Sequence, residues 1–392
     1  MKPSLLTTSE WRFIRGEDGQ YYTRSIYPYA YWQRLLAHFG RITIAARVTD
    51  EPVPAGAWRV DGPGVTIAAI PDFIGGRGLL ATTPALLRRL PGWIRGHDAF
   101  LLRVPGVIGG ALWAGLTLAR RRFAVEVVGD PQESLRGGRW SALATSLGAR
   151  QLRAVTAAAS VSRYVTAFTL QRRYPPSPRG VSVSVSDVDI PAALLAGPAP
   201  PTRPGPVLEL VFVGSLSYYK GVDVLLAALR RCAHPHRLTI VGDGALRGEL
   251  ELAARPFGER VRFLGALPVG QAVRAVMQAH DLLVLPSRGE GLPRVVIEAM
   301  AVGVPCVATD VGGTSELLNP NQLVPADAPG ALARAIDALA VAPGLRRELA
   351  DAGRTRVAHF VTGERDRRFA SFFTAVAATA TTARAEHHEA AG

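Results

Sequence analysis

Short apolar runs alternate with longer amphipathic stretches along most of this chain. In residues 1–190 the strand-like runs are Trp11–Ile14, Ile42–Val48, Val65–Ile70, Ala99–Val104, Phe123–Val128, Ala158–Ser162 and Val181–Val185. Helical spacing fills the intervals at Ala30–Phe39, Leu79–Leu90, Val107–Arg122 and Gly138–Arg153. The rhythm returns with strands at Leu208–Val213, Arg237–Val241, Val261–Leu264, Leu282–Leu285 and Pro305–Thr309. Helical patterns Val222–Arg231, Ala245–Ala254 and Gln271–Ala279 lie between them. Such alternation predicts an α/β fold of largely parallel sheets covered on both faces. Ile190 to Pro206 is rich in Pro, Ala and Gly without periodicity, so it reads as a stiff linker. The expected layout is a first domain over 1–190, a linker over 191–206 and a second domain over 207–362. A terminal helix over 363–380 and a disordered tail over 381–392 complete it.

Composition bounds the picture. A chain of 392 residues with 48% hydrophobic and 20% charged residues suits two globular domains. Gly106 to Ala119 is apolar, but it is short for a membrane span and cut by Gly109, Gly110 and Gly115, so a buried helix is expected. Cys232 and Cys306 lie in or beside apolar segments and read as buried thiols of a reducing compartment. The first residues lack the apolar run of a secretion signal, which makes a cytoplasmic location the expectation.

The charge is uneven. Residues 1–190 carry 24 Lys/Arg against 13 Asp/Glu, a net +11, while the remainder carries 21 against 19, a net +2. An anionic membrane surface or phosphorylated substrates would account for this. Nucleic acid is the weakest option, because zinc-ligand spacing, a helix-turn-helix signature and an aromatic RNA-binding motif are all missing from the sequence. The basic stretch Leu86–Arg95 could rest on a membrane surface or turn its Trp and Leu inward.

The chemistry concentrates between Asp281 and Gly313. Here a buried strand leads through Ser287-Arg288-Gly289-Glu290-Gly291-Leu292-Pro293 into a helix and then another strand. The open N–H groups and positive dipole at a helix start favour an anion. Gly291 allows close approach, and Pro293 suits a first helical turn. Glu290 in the loop and Glu298, about one to two turns into the helix, could accept hydroxyls on either side of that anion. A diphosphate between ribose and hexose fits this arrangement; a solvated loop glutamate and a surface helix glutamate are the plainer alternative. A second strand–glycine–helix turn, Gly214-Ser215 to Lys220-Gly221, supplies a cation suited to a diphosphate. Lys220 is the only lysine beyond Lys2. Gly242-x-Gly244 reads as a tight turn after a strand. Asp187-x-Asp189 has the form of a metal-binding pair but lacks a further ligand nearby. Asp130 ends a strand where open parallel sheets place ligands, and a simple turn is the alternative there.

The segments VFVGSLSYYKG, LTIVGDG, VRFLGALP and EGLPRVVIEAMAVGVPCVATDVGGTSELL, in this order, resemble the second domain of retaining GT-B glycosyltransferases of family 4. The resemblance covers about residues 207–340 and implies two Rossmann-like domains facing across a cleft. By that likeness, Lys220 would neutralise the diphosphate, with Gly214 and Ser215 beside it. Glu290 would contact the transferred sugar, and Gly291, Leu292 and Pro293 would receive phosphates. Glu298 would bind the ribose, while Gly265 to Leu267 would border the base. The family works without a bound metal, and its closing helix returns to the first domain. Three departures stand out. Ser215 occupies the place of a frequent second arginine, for which Arg288 or Arg294 is the candidate replacement. Gly16–Gln20 stands where a Gly-Gly loop is usual, and the customary histidine of the first domain is missing, leaving Asp130 and His97 as acceptor-side candidates.

The expected activity is retaining transfer of a hexose from a UDP- or GDP-sugar to a saccharide, lipid-linked or small-molecule acceptor in bacterial polysaccharide or glycoconjugate synthesis. No metal or cofactor is expected beyond the sugar nucleotide itself. An inactive donor-binding subunit and a nucleotide-sugar epimerase on the same fold are the rivals.

Overall fold

In the computed structural model, which describes residues 2–24, 27–73, 75–134, 142–188, 190–196, 205–268 and 270–389, each half of the chain is built on its own parallel sheet. The first sheet contains β1 (Ser4–Arg15), β2 (Tyr21–Thr23), β3 (Arg41–Thr49), β4 (Trp58–Arg59), β5 (Val65–Pro71), β6 (Ala99–Val104), β7 (Ala124–Val127), β8 (Val161–Tyr164) and β9 (Val181–Ser184). Its parallel body runs β5-β3-β1-β6-β7-β8-β9, and β2 and β4 join antiparallel at the far end of β1. The second sheet contains β10 (Leu208–Val213), β11 (His236–Val241), β12 (Val261–Gly265), β13 (Leu282–Leu285), β14 (Cys306–Thr309) and β15 (Leu323–Val324), in the order β12-β11-β10-β13-β14-β15. Both sheets start in the middle, step outward and return on the other side. The strand order therefore reverses beside β1 and beside β10, where doubly wound sheets open a crevice.

Apolar runs make these strands because they are covered twice. Leu210, Val211 and Phe212 of β10 and Leu282, Leu283 and Val284 of β13 are all fully buried. The Val107–Leu118 helix buries Ile108, Leu112 and Leu116, as a packed helix rather than a span. Among the described residues no helix is long and apolar enough to cross a membrane. The Gly75–Gly96 helix turns Leu86, Leu90 and Ile94 inward and leaves Leu80, Leu87, Arg88 and Arg95 exposed.

Among the boundaries that differ from the sequence reading, three have a plain physical reason. Strand β1 begins at Ser4, not Trp11, because Thr7, Thr8 and Ser9 are buried despite their polarity. Thr8 Oγ1 accepts the Arg103 N–H at 2.9 Å, so that burial is satisfied. Ala158 ends a helix (Ala142–Ala158) instead of opening β8. The terminal helix runs Thr362–Glu389, past the point where a disordered tail was expected, since its last turns contain good helix formers and no Gly or Pro. Its Phe369, Phe372, Phe373 and Val376 complete the core of the first domain. The chain thus passes between domains twice, and the passages meet: Ile190 N–H donates to Phe360 O at 3.3 Å, beside a bridge to Val361. Residues 197–204 of the expected linker lie outside the described residues.

A row of charge is buried across the first sheet. Arg103, Glu126 and Arg163 stand in register on β6, β7 and β8. Glu126 accepts from Arg103 at 3.1 Å and from Arg163 at 2.9 Å. Asp187 pairs with the same arginines at 3.1 and 3.2 Å. Burial alone would raise the Asp187 carboxyl, but Arg163 and Arg103 outweigh it and hold it far below the usual range. Its oxygens are thereby engaged in the ion-pair network; Asp189 lies outside the described residues. Glu126→Gln would leave two buried guanidinium groups under-compensated, and a loss of about 3 kcal/mol in urea-induced unfolding is expected.

Candidate active site

The carboxyl ends of the two sheets face one another. A Cβ on Gly291, in the loop after β13, would lie 2.6 Å from the Val128 carbonyl oxygen just after β7. Gly291 is therefore needed first for the approach of the two domains. Glu316, beyond β14, accepts the backbone N–H groups of Ala167, Phe168 and Thr169 at 2.6, 3.2 and 2.6 Å. The loops after β7 and β8 thus meet the loops after β13 and β14 across a cleft.

Lys220 reaches this cleft on a short turn. Gly221 adopts a φ of 65°, and a Cβ there would sit 2.1 Å from the Pro286 carbonyl oxygen. That contact sets the loop after β10 against the loop after β13. Lys220 Nζ then donates to Glu290 Oε1 at 2.6 Å, and Ser287 Oγ donates to the same oxygen at 2.6 Å. Glu290 and Ser287 are buried, whereas the Lys220 side chain is 19% exposed. Two residues seventy positions apart in sequence, expected on chemical grounds to share one ligand, are direct partners. Ser287 was not anticipated; its place two residues after β13 was the available signal.

The two arginines have different surroundings. Arg288 binds both oxygens of Asp223 at 2.9 and 2.6 Å, reaches Asp327 at 2.7 Å and stacks over Tyr218 at 3.9 Å. It brackets the Lys220 turn in place and is engaged by these partners. Arg294 opens the Arg294–Ala301 helix directly after Pro293. Its Nη1 is buried with no hydrogen-bond partner among the described residues. Glu298 lies half-buried one turn further on, and burial raises its pKa against the pull of Arg294 and Arg274.

Other candidates sit as follows. Gly214 donates to Val241 O at 3.0 Å, and Ser215 Oγ lies 3.2 Å from Ser217 Oγ. Gly265 ends β12, with Leu267 half-buried beyond it and Leu292 beside Glu316 in the cleft seam. Gly16–Gln20 is a hairpin tip joining β1 to β2, closed by Gly16 N–H to Gln20 O at 2.9 Å. His97 precedes β6 at the opposite edge of the sheet, about 20 Å along the strand from the cleft. Its ring nitrogens contact Trp93 O at 2.8 Å and Thr43 Oγ1 at 2.9 Å, so the structure removes it from the acceptor side. Asp130 stands at the correct edge but is closed off: Arg173, Tyr174 and the Gln132 N–H occupy its carboxylate, and it is 2% exposed. It ties the loop after β7 to the chain after β8.

Two doubly wound domains meeting at their carboxyl edges, with a cation and a carboxylate at a helix mouth, define the GT-B architecture. The chain superposes on sucrose-phosphate synthase from Thermosynechococcus elongatus with a TM-score of 0.67 and 20% identity, covering 99% of this chain and all of that one. It superposes on Anabaena HepE, solved in complex with UDP and glucose, with a TM-score of 0.62 and 16% identity, over 99% of this chain and all of that one. Residues 208–341, most of the second domain, match the family described as Glycosyl transferases group 1. The Mycobacterium tuberculosis glycogen synthase is 35% identical over 164 residues, 40% of this chain and 39% of that protein. The matches to the first curated relatives span about a third or less of those proteins' length.

Because burial favours the neutral form of Glu298, its carboxyl binds a proton more tightly folded than unfolded. Wild-type stability should therefore fall as pH rises from the unfolded carboxylate range, about 4, through the raised folded value. Glu298→Gln carries no such cost. Its calorimetric Tm is expected to exceed that of the wild type at pH 7, with the difference vanishing near pH 4.

Proposed function

We propose that this chain transfers a hexose from a nucleoside diphosphate sugar to an acceptor hydroxyl, with retention at the anomeric carbon. The observation that carries this reading is the Lys220–Glu290 pair at the mouth of the Arg294–Ala301 helix, facing the first domain. The bond from the anomeric carbon to the diphosphate breaks, and one to the acceptor oxygen forms. The hydroxyl proton leaves with the nucleoside diphosphate. Charge thus develops on the diphosphate, where Lys220 and the helix amino end supply opposite potential in a water-poor cleft. An arriving diphosphate competes for Lys220 and frees Glu290 to accept the sugar's hydroxyls. Glu298, half-buried along the same helix, suits the ribose hydroxyls. The reading assigns charge neutralisation to these groups rather than to a metal ion, and asks for no cofactor besides the sugar nucleotide.

HepE, which shares the fold, was solved with UDP and glucose, and this supports a UDP-sugar donor; a GDP-sugar is the other option. The acceptor is a saccharide, lipid-linked or small-molecule hydroxyl of a bacterial polysaccharide or glycoconjugate pathway. The outer face of the Gly75–Gly96 helix exposes Leu80 and Leu87 among Arg88 and Arg95, which suits contact with an anionic membrane on its cytoplasmic side.

The test is a transfer assay with UDP- and GDP-sugars over an acceptor panel, run with and without a chelator. Lys220→Ala and Glu290→Ala are each expected to lower kcat by about 100-fold or more, while the chelator leaves turnover in place. Full turnover in either variant would overturn the site. Donor binding without transfer to any acceptor would point instead to a donor-binding subunit.

A further inference from the structure

Beside the candidate donor site, the first domain contributes a basic hollow whose shape originates in a defect of β1. Ser9 of β1 pairs with Ala46 of β3, and the next aligned pair is Arg12 with Arg47. Glu10 and Trp11 are therefore surplus and bulge out of the sheet. Bulges near a sheet's functional edge re-aim side chains, and these two lie on a cleft that Arg294 of the second domain also lines. With Arg12, Arg24, Arg47 and Arg294 they line a cleft of about 750 Å³.

The charge there is strongly one-sided. Of the seven lining residues, Thr23 included, four are arginines and one is a carboxylate, and Glu10 Oε1 accepts the Ile108 N–H at 2.9 Å at the start of the Val107–Leu118 helix. Asp72, at the rim, pairs with Arg12 at 3.0 Å and stands 3.9 Å from Arg47. Two guanidinium donors nevertheless remain without partners among the described residues: Arg47 Nε from the first domain and Arg294 Nη1 from the second, both buried. Buried donors are ordinarily satisfied, and two in one hollow call for the same acceptor group. Trp11 is 49% exposed, offering a flat apolar face at the wall. Arg294 follows Gly291 by three residues, so its Cα lies within about 11 Å of the loop expected to hold the donor's phosphates.

We infer that this hollow is an acceptor subsite for a sugar bearing an anionic group, a carboxylate or a phosphate. Arg47 and Arg294 bind the anion from opposite sides of the cleft, Arg24 adds to the field, and Trp11 covers one face of the ring. The inference rests on the transferase reading above and adds the class of acceptor. It also explains why the excess positive charge lies in the first domain. A guanidinium fork matches carboxylate and phosphate oxygens geometrically, so this arrangement selects acceptors as well as attracting them.

The experiment measures binding of three probes to the full chain saturated with UDP: methyl glucoside, its 6-phosphate and methyl glucuronide. Calorimetry of UDP alone comes first. The expected result is UDP binding, followed by at least about tenfold tighter binding of one or both anionic probes than of the neutral one. Comparing phosphate with glucuronide then identifies the anion. Arg47→Gln, and independently the exposed Arg24→Gln, should shrink the charged-to-neutral preference toward unity. A merely structural role would weaken all probes alike and keep the ratio. Equal binding of the three probes, or a preference that survives both substitutions, would overturn the subsite and leave the transferase reading standing. Failure to bind UDP or GDP would overturn the transferase reading and the subsite with it.

Discussion

A parallel sheet covered by helices on both faces is accessible only at the edges where its strands stop. At the carboxyl edge each strand hands over to a loop, and each loop to the positive end of a helix. This chain contains two such sheets turned edge to edge. Every feature of the candidate site follows from that arrangement, including the Lys220 turn after β10, the Glu290 loop after β13 and the contact of Gly291 with Val128. Within it the buried Glu290 carboxylate and Lys220 satisfy each other, and the site avoids an uncompensated charge.

The second domain was readable from sequence as far as β14, while β15 and the helices Pro329–Ala340 and Pro343–Arg356 were not singled out. Strands β10 and β13 fall on the expected bounds because they are apolar runs, broken only by Glu209, that are closed by Gly or Pro. The first domain was less readable for physical reasons. Strand β1 hides behind Thr7-Thr8-Ser9, whose burial depends on partners almost a hundred residues away. The bulge at Glu10 and Trp11 is a property of pairing with β3, which single-chain periodicity cannot register. His97 and Asp130 were attractive as residue types, but one lies at the wrong edge and the other is enclosed by Arg173 and Tyr174.

Arginine takes three separate roles. Arg103 and Arg163 are internal, in register and compensated by Glu126 and Asp187. Arg288 braces a loop through Asp223 and Asp327. Arg47 and Arg294 hold buried donors still to be matched. Net charge alone does not separate these roles, whereas the carboxylates that face each guanidinium do.

The terminal helix has a consequence for the order in which the molecule is assembled. The core of the first domain includes Phe369, Phe372, Phe373 and Val376, near the end of the chain. On the ribosome, the amino-terminal half emerges first yet lacks part of its interior until Phe369 to Val376 follow. The second domain, continuous from β10 onward, has all its strands by then. The half that is made first is therefore closed only after the second domain has been made, and a chain cut before Phe369 would have an open hydrophobic seam in its first domain.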